Sequence, residues 1–165
     1  MPKGERRNKG QLVIDRAILR DCKQTKTNLA IAWIGYKKAY DSVPHSWILE
    51  TLDLVGAADN IKRLRESMES WKTQLTAYGK DLGEVSRRGI FQGDSLSPLL
   101  LVIAMLPLSS VLNESAAGYQ LSKEEGKIIH LLFMDDLKLY GRNEKEINSL
   151  VHTVRVISSD IGMDF

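Results

Sequence analysis

Phe133-Met134-Asp135-Asp136 sits between two apolar runs, Ile128-Ile129-His130-Leu131-Leu132 before it and Leu137-Lys138-Leu139-Tyr140 after it. The pattern predicts a strand, a tight turn carrying both acids, and a second strand returning beside the first. No folding requirement places two like charges at such a tip. Each carboxylate disfavours ionisation of the other unless a cation neutralises both. Hard oxygen donors of this kind suit Mg²⁺. Aspartate is also a favoured turn residue through its own local hydrogen bonds, so a plain polar turn is the competing reading of these two residues alone.

The rest of the chain supplies the elements around that hairpin. Apolar residues recur at helical spacing over residues 12–22, and residues 27–34 read as a buried strand containing Trp33. Residues 46–55 read as a helix ending at Gly56, and Asp59 or Asn60 can cap another that runs to about Trp71. Residues 75–78 and 84–91 read as paired strands around Gly79-Lys80-Asp81-Leu82-Gly83. Ser97 and Pro98 open an apolar helix reaching about Leu112, with Pro107 predicted to kink it. Asn143 can cap a last amphipathic helix through about Ile161. This mixed order predicts an α+β fold, an antiparallel sheet backed by helices. Trp33, Trp47 and Trp71 are expected in the core rather than as base-stacking platforms. His45, His130 and His152 share no metal-ligand spacing and receive no chemical role.

Composition narrows the class. The chain has 165 residues and 43% hydrophobic content, enough for one ordinary domain, and its 27% charged residues do not suit a wholly disordered one. The net charge of +2 does not announce a nucleic-acid binder. Lys3, Arg6, Arg7 and Lys9 concentrate positive charge in residues 1–10, expected to be a flexible basic arm. Cys22 is the single cysteine, which excludes a disulfide framework and a Cys/His zinc cluster. No apolar run approaches the roughly 18 residues of a membrane span, and the basic start lacks the apolar stretch of a signal peptide.

Two further segments carry chemistry. Arg88-Gly89-Ile90-Phe91-Gln92-Gly93-Asp94-Ser95-Leu96-Ser97-Pro98 joins a predicted strand to a helix through a glycine turn. Gly93 permits close backbone approach to a ligand, and Gln92 can both donate and accept. A nucleotide could sit against such a turn, although a Gly-Asp-Ser turn before a helix is often plain structure. Residues 31–41 run from a strand into Gly35-Tyr36-Lys37-Lys38-Ala39-Tyr40-Asp41. Lys37 and Lys38 could meet phosphates or be a solvated pair, and Tyr40 could pack on a sugar or base or belong to the core.

Together these segments resemble the reverse transcriptase domain of non-LTR retrotransposons. Its three motifs occur in order as Gly35 to Asp41, Gln92 to Pro98 and Phe133 to Asp136. The resemblance implies a right-hand polymerase palm with partial fingers, residues 11–165 forming the fingers/palm fragment. It implies that Asp135 and Asp136 are catalytic and ligate Mg²⁺, with Mn²⁺ as a substitute. Tyr36, Lys37, Tyr40, Arg88, Gln92 and Gly93 would bind substrate. The aromatic ring of Tyr40 would crowd the sugar 2′ side and favour dNTPs, and Arg87 and Arg88 would meet template or phosphate. An RNA template, a DNA primer and dNTP are the implied partners, with no membrane, and an intracellular, nuclear location follows from the family's habit of priming on chromosomal DNA.

The departures from the pattern set a second expectation. The first motif should open with a metal-binding aspartate, and here that position is Gly35. Asp41 occupies the motif's later acidic position, and the intervening turn makes it a poor replacement. The thumb and its preceding lysine-bearing loop are expected to be absent and the fingers abbreviated. The resemblance therefore implies an RNA-directed DNA polymerase domain, working by two-metal phosphoryl transfer, that is inactive in this copy. The alternative is a non-catalytic nucleic-acid-binding remnant.

Overall fold

The acid-bearing segment forms the hairpin that its pattern predicts. Strand β6 (His130–Phe133) turns through Met134 and Asp135 into β7 (Asp136–Gly141), and β7 pairs on its other edge with β1 (Ala30–Gly35), giving a three-stranded antiparallel sheet in the order β1-β7-β6. The computed structural model describes residues 5–86, 89–122 and 126–165; the side chains of 5–9, 58–62 and 85–86 lie outside that description. Two compact units make up the chain, Met1–Gly35 with Leu108–Val156, and Tyr36–Pro107 with Ile157–Phe165. The sequence reads as one unit because each of these is assembled from separated stretches, so no linker marks the division.

In the first unit, α1 (Glu5–Thr25) precedes the sheet. It takes in residues 5–10, which the sequence reading places in a flexible basic arm over residues 1–10. A two-stranded ribbon of β4 (Tyr119–Gln120) and β5 (Lys127–Ile128) precedes the hairpin. Two long helices cross the boundary between units, α5 (Ser97–Asn113), which continues through Pro107, and α6 (Glu144–Asp160). Asn143 caps α6 as predicted, its Oδ1 accepting the Glu146 N–H at 2.9 Å, while Glu146 accepts from the Arg142 backbone and side chain.

Antiparallel register decides which side chains share a face, because directly paired residues project to the same side. Leu137 and Leu139, opposite Ile34 and Ala32, lie on one face and are buried. Gly35, Trp33 and Ile31 share the other face with Asp136, Lys138 and Tyr140. Helix α1 packs on that second face through apolar and polar contacts. Ile18 joins Tyr140 and Tyr119 in a buried cluster, and burial of such a side chain contributes about 1.5–3 kcal/mol. The remaining attachments are polar. Gln11 donates to the Leu132 carbonyl at 2.6 Å, and Asp15 accepts from the Tyr140 hydroxyl at 2.8 Å and forms an ion pair with Lys138. Leu12, Val13 and Leu19 on the same helix are exposed, so of the apolar residues read from the sequence Ile18 and Cys22 face the docking surface.

The Asp15–Lys138 pair is largely withdrawn from water, the side chains being 20% and 8% exposed. Burial raises the Asp15 pKa, but hydrogen bonds from Lys138 and Tyr140 and the ammonium charge outweigh it and hold the carboxyl below its ordinary value. Burial and the adjacent carboxylate push the Tyr140 phenol well above its own. His130 lies on the opposite sheet face; its Nε2 meets the Ser109 hydroxyl at 2.8 Å, while its Nδ1 is buried without a partner. Burial lowers its pKa.

In the second unit, Lys38 turns the chain in a left-handed conformation (φ 49°) into the short helix α2 (Ala39–Ser42). Helices α3 (His45–Leu54) and α4 (Ala58–Glu69) follow. Helix α4 starts at Ala58, so Asp59 and Asn60 fall inside its first turn and not at the cap. The hairpin of β2 (Lys72–Ala77) and β3 (Lys80–Ser86) is tighter than predicted. Tyr78 and Gly79, with φ of 52° and 73°, form its turn, which lets Lys80-Asp81-Leu82-Gly83 enter the strand; Ile90 and Phe91 lie outside it. Leu100, Leu101, Ala104 and Met105 of α5 are buried, and Trp47 donates to the Ala104 carbonyl at 2.9 Å.

Two stability predictions follow. Asp15→Ala leaves Lys138 without its counter-ion and should cost roughly 2–4 kcal/mol in chemical denaturation, with much of the loss recovered in Asp15→Ala/Lys138→Met. Because folding lowers the His130 pKa, the unfolded chain takes up the proton first as pH falls below about 6.5. Stability should therefore decline from about pH 6.5 downward, and His130→Gln, which can still bond Ser109, should flatten that slope.

Candidate active site

The first unit holds the two acids. A two-residue loop with positive φ at its first residue is the type II′ pattern, where glycine is usual. Here Met134 takes that position at φ 54°, on the order of 1 kcal/mol less favourable than an ordinary conformation. The turn leaves Asp135 half-buried and Asp136 exposed. Asp136 is the direct cross-strand partner of Gly35, and a Cβ at Gly35 would meet nothing within 4 Å. Paired Cβ atoms lie about 5 Å apart, so a carboxylate at position 35 would face Asp136 across the sheet. Among the described residues, no group of three or more His, Cys, Asp or Glu could hold a metal ion. Two adjacent carboxylates on an open turn are nonetheless a donor set that Mg²⁺ accepts, since it commonly binds one or two carboxylates and keeps waters or phosphate oxygens.

Tyr36, Lys37, Tyr40, Gln92 and Gly93 belong to the second unit. Tyr36, expected at the substrate, is instead buried; its hydroxyl bonds Ser158 Oγ at 2.9 Å and its ring meets Phe165 edge-on at 5.8 Å. It is the first residue beyond β1, and the strand's alternation turns it inward. Lys37 is exposed, with its backbone N–H donating to the Asp164 carbonyl at 2.8 Å. Tyr40 is half-buried, and Gln92 and Gly93 are exposed, Gly93 with φ 93° and open space at its Cβ position. Asp94 closes the turn by accepting the Leu96 N–H at 2.8 Å. Ser97 is at the start of α5, but its hydroxyl donates to the Phe91 carbonyl and leaves the helix amides to others. Arg87 and Arg88 lie outside the described residues.

Residues without an assigned role hold the two motifs of this unit together. The Ile90 N–H donates to the Tyr40 carbonyl at 2.6 Å, and His45 Nε2 donates to the Gly89 carbonyl at 2.7 Å, which places the proton on that nitrogen. Gly89 is required by space: at φ 87° its Cβ would stand 2.5 Å from both the Asp41 Cα and the Tyr40 oxygen. Trp71 packs between His45 and Phe91, with centroid distances of 5.3 and 4.9 Å. A backbone-directed histidine leaves no spacing signature, which is why the sequence gives His45 no role.

Trp33 departs furthest from its expected place. It is 72% exposed, on the sheet face of Gly35 and Asp136, with Lys138 Nζ 4.0 Å from the ring centroid. The alternation of β1 is Ile34-in and Trp33-out, which an apolar run does not reveal.

The chain belongs to the reverse transcriptase (RNA-dependent DNA polymerase) family, whose model matches residues 5–165. It is a partial domain of the non-LTR retrotransposon kind. It is 31% identical over 123 residues to a retrovirus-related Pol polyprotein from the type-1 retrotransposable element R2 of Popillia japonica, covering 73% of this chain and 20% of the relative. The corresponding R2 polyprotein of Nasonia vitripennis is 30% identical over 158 residues, covering 90% of this chain and 14% of the relative. The chain thus spans a fifth or less of the length of these relatives. Among solved structures, apo telomerase from Candida tropicalis matches with a TM-score of 0.68 at 16% identity, over 93% of this chain and 30% of that one. The likeness shows the fold, a partial polymerase palm of antiparallel strands and helices.

Glycines of the second motif provide a paired prediction. Gly89→Ala should cost about 2–4 kcal/mol, from overpacking plus an unfavourable φ, whereas Gly93→Ala should cost only about 1–2 kcal/mol because its space is open. Urea unfolding midpoints of the two variants check this.

Proposed function

We propose that this chain is the catalytic palm portion of an RNA-directed DNA polymerase, and that the loss of one carboxylate has disabled it. The carrying observation is the β1–β7 register, which sets Gly35 directly opposite Asp136 with room for a side chain. In this reading Asp135 and Asp136 hold the divalent metal, Mg²⁺ or Mn²⁺. When bound, such ions neutralise triphosphate charge and lower the pKa of an attacking hydroxyl. The chain's own residues act by positioning. The exposed turn at Gln92 and Gly93 borders the incoming dNTP and template base. Tyr40, anchored through Ile90, limits the space beside the sugar, and Lys37 meets phosphate. An RNA template and a DNA primer are the partners this reading requires, and priming on chromosomal DNA would place the work in the nucleus. No described helix is long and apolar enough to cross a membrane.

The pair of acids without a third carboxylate also supports a second reading, in which the chain retains nucleic-acid binding without catalysis. Primer extension separates the two when the native chain, Gly35→Asp and Asp135→Asn are run with an RNA template, dNTPs and Mg²⁺ or Mn²⁺. The native chain should match Asp135→Asn, and Gly35→Asp should extend primer at least about a hundredfold faster, equivalent to about 3 kcal/mol of restored transition-state stabilisation. A readout independent of activity accompanies it. Without metal, the added charge faces Asp136 and should lower the unfolding temperature, and Mg²⁺ should raise it again. Equal extension by the native chain and Gly35→Asp would sink the inactivity claim. Absence of extension and of metal-dependent stabilisation in Gly35→Asp would favour the binding remnant.

A further inference from the structure

We infer that Trp33 is a stacking shelf for a base of single-stranded nucleic acid bound at the acid turn; this rests on the polymerase reading and adds a contact to it. Trp33 and Asp136 line one cavity of about 240 Å³, its wall part apolar (Leu12, Leu131 and Phe133) and part polar (Gln11, Asp15 and Lys138). Trp33 is one same-face step along β1 from Gly35, about 7 Å, which is within one nucleotide's reach of the acids. One face of the indole is held by the Lys138 ammonium, itself fixed by Asp15, so the ring is supported from beneath while 72% of the residue stays exposed.

The chemistry of the cavity selects among occupants. Its apolar wall would suit a protein segment, but such a segment would also cover the Asp136 carboxylate and strip it of water without a partner, which is costly. A nucleotide presents both kinds of surface. Its base lies on the indole, and its sugar and hydration remain beside the carboxylate. Every base has a π-face, so the contact would be tolerant of sequence, as a polymerase's contact to its strands must be.

The test is anisotropy-monitored binding of short labelled single-stranded DNA and RNA to the native chain, Trp33→Phe and Trp33→Leu, with each variant's unfolding midpoint measured alongside. Trp33→Leu, which keeps apolar bulk without a π-face, should weaken binding about 5- to 100-fold. Trp33→Phe should stay within about threefold of native. The slope of log Kd against log salt should be the same for all three, because stacking releases no counterions. Oligonucleotides made abasic at each position in turn give the same answer without a mutation. One abasic position should weaken binding to the native chain and leave binding to Trp33→Leu unchanged. If the native chain binds and Trp33→Leu binds equally, the ring is only a cover for the Lys138–Asp15 pair and the inference falls alone. If the salt slope drops with Trp33→Leu, the contact is electrostatic and the inference likewise falls. If the native chain binds neither nucleic acid, the polymerase reading falls with it.

Discussion

The antiparallel pairing of β1 with β7 is the constraint on which the first unit depends. A shift of one residue in this register would move every side chain to the opposite face. Leu137 and Leu139 would leave the core, and Lys138 would enter it. The observed register does the reverse, and it brings the two polymerase motifs of this unit into contact. The glycine that opens the first motif ends up across from an acid of the third. Position 35 is a place where the backbone faces Asp136 and the space is open to a side chain.

Attachment of α1 to that sheet combines the apolar cluster around Ile18 with polar contacts from the same helix. Asp15 answers Lys138 and Tyr140 at once, and Gln11 reaches a strand carbonyl. Lys138 must be buried because register places it on the face that α1 covers, and it is tolerable there because the Asp15 carboxylate pairs with it and the Trp33 and Tyr140 rings lie beside it. Such pairs contribute little net stability over an apolar substitute but define which arrangement is allowed. Here the arrangement lies one same-face step from Asp136, so the same contacts that dock α1 also steady the hairpin.

In the second unit the equivalent role belongs to Gly89. The backbone of the second motif comes so near the turn after the first that no side chain fits between them. His45 and Ile90 hold the approach with hydrogen bonds to backbone atoms. Tyr36 anchors the start of this unit, which is why its ring is buried rather than offered to a ligand.

The hairpin, its acids, the longer helices and the family were legible in the residues themselves, because period-two and helical spacing, turn chemistry and three ordered motifs are local properties, whereas the short elements α2, β4 and β5 were not. Asn143 as a cap was legible for the same reason. The direction in which particular residues face was not. Trp33 and Tyr36 are both aromatic neighbours of Gly35, yet one faces water and the other the core, and nothing local distinguishes them. The two units were also hidden, since each gathers stretches far apart in the chain. By itself the sequence determined the family, the acid-bearing hairpin and that a glycine stands at position 35. Only the tertiary structure decided that Gly35 faces Asp136, that Lys138 finds Asp15 and that Trp33 is left open beside the acids, because those relations come from register and packing between segments about a hundred residues or more apart.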